Sequence, residues 1–162
     1  MASAARPITP DRTEKALGAL ALVMLALVVT AVLRGSADWD RLPPQVWVHL
    51  ATICLPLALT PVILWSPRGT RRHRVLGYVW AACMAATAID SFWIRSSDGR
   101  LGPIHILSAT TLVLLVVLVV MARRHEVKHH RSTARGIIVG ALLIAGFFTF
   151  PFNRLLGRWL LG

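Results

Sequence analysis

Long runs without charge constrain this chain more than any other feature. Ala16–Leu33, Val46–Trp65 and Ile104–Ala122 contain no Asp, Glu, Lys or Arg. Val75–Ile94 contains only Asp90, and Gly136–Phe152 is uncharged but shorter and rich in glycine. About 20 helical residues cross a hydrocarbon core of about 30 Å. In lipid the backbone must satisfy its own hydrogen bonds, so only helices and closed barrels span it. Leu112–Met121 is apolar at every position, which excludes the alternation of a barrel strand. The sequence therefore predicts an all-α integral membrane bundle of five transmembrane helices.

Charge supplies the orientation. The 162 residues hold 18 Lys+Arg against 7 Asp+Glu, a net charge of +11, yet 56% are hydrophobic and the mean hydropathy is +0.63. A nucleic-acid binder sets such charge on a polar surface; here it sits in short clusters between apolar runs, which argues against a nucleic-acid partner. From N- to C-terminus the six flanking segments hold 3, 2, 4, 2, 5 and 2 Lys+Arg. By the positive-inside rule the N-terminus is cytoplasmic and the C-terminus outside. The acids Asp38, Asp40, Asp90 and Asp98 fall on the outer side, and the basic inner side faces anionic lipid. The first apolar run, 18 residues after Arg6, Arg12 and Lys15, exceeds the h-region of about 7–15 residues in a signal peptide and predicts a retained helix.

The histidines fall at two levels. His49 and His105 lie near the outer ends of helices two and four, and His73 and His130 at the inner starts of helices three and five. His49 is followed 24 residues later by His73-Arg74, and His105 is followed 25 residues later by His130-Arg131. Helices 2–3 and 4–5 thus read as a parallel repeat about an axis along the membrane normal. Residues 46–162 form a four-helix core in this reading, and residues 1–45 an N-terminal tail, a peripheral first helix and an outer loop. The spacing leaves His129 and His130 both open as the inner residue.

Two stacked histidine pairs suit bis-histidine haem b, one or two groups held between helices, with Arg74 and Arg131 available to the propionates. Copper or zinc on His49 and His105, with Asp90 as third ligand or polar partner, is the other cofactor option. Against these stand plainer readings. His73 and His130 sit in basic runs that meet lipid phosphates, Asp90 lies near the outer headgroups, and Cys54 and Cys83 are small packing residues. Gly136, Gly140 and Gly146 permit close helix approach, within the bundle or in a homodimer.

His49, Pro61, His73-Arg74-Val75-Leu76-Gly77-Tyr78, Gly102-Pro103-Ile104-His105-Ile106-Leu107-Ser108 and His130-Arg131 resemble the pattern of a family of small bacterial multi-pass proteins catalogued as a domain of unknown function. The likeness covers about Val46–Arg158 and implies a bacterial inner-membrane protein. More remotely, histidines on helices two with four and three with five are similar to the di-haem transmembrane b-type cytochromes. Those proteins pass electrons from ascorbate-like donors to ferric iron or similar acceptors, and also carry a first helix outside a four-helix haem core. That resemblance implies an electron-transfer protein, with oxidoreductase activity left open. The alternatives are a non-enzymatic structural or assembly subunit of a larger membrane complex and, third, a metal or small-solute transporter.

Overall fold

The computed structural model describes residues 9–94 and 102–162. Arg6, Arg95, Asp98 and Arg100, which enter the charge count, lie outside the described residues. Helices α1 (Arg12–Arg34), α2 (Pro44–Trp65), α3 (Arg71–Asp90), α4 (Pro103–Arg123) and α5 (Val127–Ile137) follow one another. The fifth helix continues through a π-helical stretch, Ile138–Ile144, into the short α6 (Ala145–Phe147), and α7 (Leu155–Leu161) closes the chain. No strand occurs among the described residues.

Among the described residues, three helices are long and apolar enough to cross a membrane: α1, α2 and Ile104–Arg123 of α4. The predicted third span is shortened because its helix ends at Asp90 and its first turn is Arg71-Arg72-His73-Arg74. The predicted fifth span is divided, with a strongly basic α5 ahead of the apolar π-helical stretch.

α1 begins earlier than its apolar run because Asp11 and Glu14 form a reciprocal capping box. The Asp11 side chain accepts from the Glu14 N–H at 2.9 Å and Glu14 accepts from the Asp11 N–H at 3.0 Å. From there Glu14, Leu17, Ala21, Met24, Val28 and Ala31 make one buried stripe. This is the face that a first helix peripheral to the bundle would leave in lipid. Instead α1 packs along α2, the π-helical stretch and α7, because Gly18 accepts the Trp65 ring and Gly35 the Trp159 ring against the backbone. Arg34 donates to the Leu160 carbonyl at 2.6 Å and Trp159 Nε1 to Asp38 at 3.1 Å, which fixes the other end.

Pro56 and Pro61 lie inside α2, where each removes a backbone donor. Thr60 bridges the disturbance. Its hydroxyl donates to the Pro56 carbonyl at 2.7 Å and accepts from Trp80 Nε1 of α3 at 3.0 Å. Trp80, buried mid-helix, is thereby a packing and hydrogen-bonding residue. His125 takes a left-handed φ of 58° in the tight link between α4 and α5, which sets these helices side by side.

Candidate functional site

Among the described residues, a cleft of about 920 Å³ opens at the end of the bundle that carries the basic clusters. Its volume falls within the usual range for small-molecule and cofactor sites. Side chains of α2, α4 and the π-helical stretch wall it with Ile63, Leu64, Leu118 and Ile138, and Thr60 and Trp80 also line it. His73, Arg74, His130 and Arg131 all line it, so the structure brings these four predicted residues together.

Local sequence places each histidine. Thr70 caps α3 by accepting from the His73 N–H at 3.1 Å, which sets His73 in the first turn. His73 is half-buried and its Nδ1 is buried without a hydrogen-bond partner. Burial, together with the positive charge of Arg68, lowers its pKa and favours the neutral ring. His130 faces the cleft from α5, and its Nδ1 lies 3.1 Å from the Leu118 carbonyl. A carbonyl only accepts, so this contact assigns the proton to Nδ1 and leaves the Nε2 lone pair available to a metal. His129, one residue earlier, turns away and meets Glu126 at 2.9 Å on the exposed side.

Behind the cleft lies an ionic cluster that sequence reasoning missed. Glu14 is only 2% exposed and accepts hydrogen bonds from Arg68, Arg131 and Arg135. Arg131 reaches it through Nε at 3.0 Å and Nη2 at 2.9 Å, and also holds Asp11 at 2.9 Å. Arg135 joins both carboxylates through Nη2. The Glu14 backbone N–H, with Arg135 and Arg131, holds the Asp11 carboxyl below its ordinary range. The signal for this cluster was present in Asp11-x-x-Glu14 ahead of an apolar run, and in Arg131 and Arg135 one turn apart.

At the opposite end His49 and Asp90 meet, Nδ1 to Oδ2 at 3.3 Å. His105, 4% exposed, is used differently. Its Nδ1 accepts from the Gly102 N–H at 2.9 Å, capping α4, and its ring packs on Phe92 at a centroid distance of 5.7 Å. An Nδ1 that accepts requires the proton on Nε2, the reverse of the tautomer at His130. Among the described residues no three His, Cys, Asp or Glu side chains form a metal-ion group. Cys54 and Cys83 are free and partly buried. Ser91 and Ser108 join α3 to α4 through hydroxyls 2.6 Å apart.

Comparisons with protein-family models, with curated proteins and with solved structures return no match.

Proposed function

We propose that the chain is a haem-b protein of the bacterial inner membrane that takes part in electron transfer, with His73 and His130 as axial ligands in the cleft. One observation carries this reading: two histidines from different helices line one largely apolar cavity, and the His130 Nδ1 lies on the Leu118 carbonyl, which would leave its Nε2 for an iron. Bound haem would supply one-electron iron chemistry. The protein would supply two imidazoles, an apolar enclosure and flanking guanidiniums. In this reading the helices cross the bilayer five times, the basic end faces the cytoplasm, and the cleft opens at the level of its anionic lipid.

The proposal keeps one haem, at the inner level. The His105 Nδ1 accepts from the Gly102 N–H, which puts the proton on Nε2 and weighs against His105 as an outer-level ligand. A reduced-minus-oxidised spectrum of protein expressed with haem tests the reading. An α-band is expected, lost in His73→Ala and His130→Ala and retained in His105→Ala. A colourless wild-type protein would sink it.

A second reading, as an assembly subunit or homodimer, draws on Gly136 and Gly140. Nothing lies within 4 Å of where a Cβ at either would stand, which leaves room for a partner helix. Co-purification of a colourless protein with a larger membrane complex would favour it.

A further inference from the structure

We infer that the cleft opens sideways into the bilayer between α3 and α4, where Arg74 and Arg123 hold the phosphodiester of one anionic phospholipid. The two helices are joined near their other ends, where the Ser91 and Ser108 hydroxyls lie 2.6 Å apart. Toward the basic end the cleft lies between them, lined by Arg74, Gly77, Tyr78 and Ala81 of α3 and by Ala122 and Arg123 of α4. Arg74, Tyr78, Ala122 and Arg123 are also exposed, so this is a side on which the cleft is open. The inference is independent of the haem reading. It uses neither histidine, and it gives Arg74 a lipid phosphate in place of a propionate.

The arginines lining the cleft fall into two sets. Arg68, Arg131 and Arg135 are bound to Glu14, the sole acid among the described residues lining the cleft. Arg74 and Arg123 form no ion pair among the described residues. Tyr78 stands beside Arg123, and Arg74 lies one turn before Tyr78 on the same face of α3, so both guanidiniums border one stretch of the opening. A phosphodiester offers two unesterified oxygens, acceptors that suit guanidinium forks. A glycerol headgroup adds no positive charge, whereas choline would bring an ammonium to a rim that is already basic.

Depth and wall chemistry point the same way. Arg123 ends a helix long and apolar enough to cross a membrane, which sets its guanidinium at headgroup level in the orientation proposed above. Beyond Arg74 the opening is walled by Gly77 and Ala81, three and seven residues on and so on one face of the helix. Nothing lies within 4 Å of where a Cβ at Gly77 would stand, which leaves room for an acyl chain. From Arg74 to Ala81 this strip runs about 10 Å along the axis, about two-thirds of the hydrocarbon depth of one leaflet. Free phosphate would satisfy the arginines but leave the apolar strip without a role.

The test is native mass spectrometry of the full chain in detergent, titrated with dioleoyl phosphatidylglycerol, dioleoyl phosphatidylcholine or inorganic phosphate. One phosphatidylglycerol per chain is expected, held about tenfold more tightly than phosphatidylcholine, the scale of one charge-assisted hydrogen bond. Arg74→Gln combined with Arg123→Gln is expected to bring that ratio close to one. Arg71→Gln, at an exposed arginine outside the cleft lining, is expected to leave it unchanged. Gly77→Leu, which fills the strip, is expected to weaken both lipids several-fold and keep the ratio. An unchanged ratio in the folded double variant, or an equal loss in Arg71→Gln, overturns the assignment. Inorganic phosphate that displaces phosphatidylglycerol at equal concentration overturns the lipid as occupant. Unaltered binding of both lipids in Gly77→Leu also overturns it, and decides alone should the double variant fail to fold by circular dichroism. The haem α-band is a separate readout, and its absence leaves this inference standing.

Discussion

Glu14, in the first turn of α1, accepts two hydrogen bonds from Arg131, which follows it by 117 residues, at 3.0 and 2.9 Å. This pair, with Arg68 and Arg135, ties the N-terminal helix to the loop before α3 and to the helix that carries His130. The cluster is local in space and spread along the chain, so it fixes the cleft wall and resists change at any one member.

Removing Glu14 leaves three guanidiniums facing one another with only Asp11 between them. Breaking a fully buried pair costs about 3–5 kcal/mol. Arg131 and Arg135 are about a third exposed, at 27% and 30%, so solvent screening reduces the expected loss for Glu14→Ala to about 2–3 kcal/mol. Glu14→Gln, which keeps an acceptor, should lose less. Chemical unfolding in detergent measures both, and a Glu14→Ala protein as stable as wild type would contradict the arrangement.

Acid should destabilise the protein in two windows. For His73 the folded pKa lies below its ordinary 6.5, so between those values the unfolded state binds more protons and stability rises with pH. The contribution is complete above about 6.5 and lost progressively on acidification toward the folded pKa. For Asp11 the folded pKa lies below its ordinary 3.8; its contribution is present above that value and disappears as pH falls through the folded one. A melting-temperature profile from pH 3 to 8 should show both slopes, and His73→Gln should flatten only the upper one.

Thr60→Val deletes the acceptor of Trp80 Nε1, 3.0 Å away, and the donor to the Pro56 carbonyl. Both partners remain buried, so a loss of about 1–2 kcal/mol is expected. Trp80→Phe, which removes the orphaned donor, should be milder on the Thr60→Val background than alone. Strict additivity in the double-mutant cycle would show that the hydrogen bond carries no coupling.

Gly35→Leu should separate α1 from α7. A Cβ there meets the Trp159 ring, and displacing that ring breaks its hydrogen bond to Asp38. Overpacking of this kind costs about 1–3 kcal/mol. The backbone φ of −81° at Gly35 is ordinary, so any effect reports packing. A Gly35→Leu protein with unchanged melting temperature would rule out close contact between these helices.

His105→Ala removes the side chain that accepts from the Gly102 N–H. As with other caps, about 1 kcal/mol should be lost, with no change in any haem spectrum. Loss of an α-band in this variant would return the outer level to the ligand set.

The sequence by itself determined that the chain is helical and built for lipid, because charge-free runs of this length leave the backbone no other way to satisfy itself. It also marked His73, Arg74, His130 and Arg131 as candidates through their repeated spacing. The histidine repeat, however, treats two levels as equivalent. Tertiary structure separates them, since the Leu118 carbonyl sets the His130 proton on Nδ1, whereas the Gly102 N–H requires the opposite at His105. Only the packed chain brings Glu14 to Arg68, Arg131 and Arg135, and so makes α1 part of the bundle. The physical reason is range. Hydrophobic length and capping act over a few residues and can be read along the chain, whereas a tautomer, an ion-pair partner and the wall of a cleft depend on groups that meet only after folding.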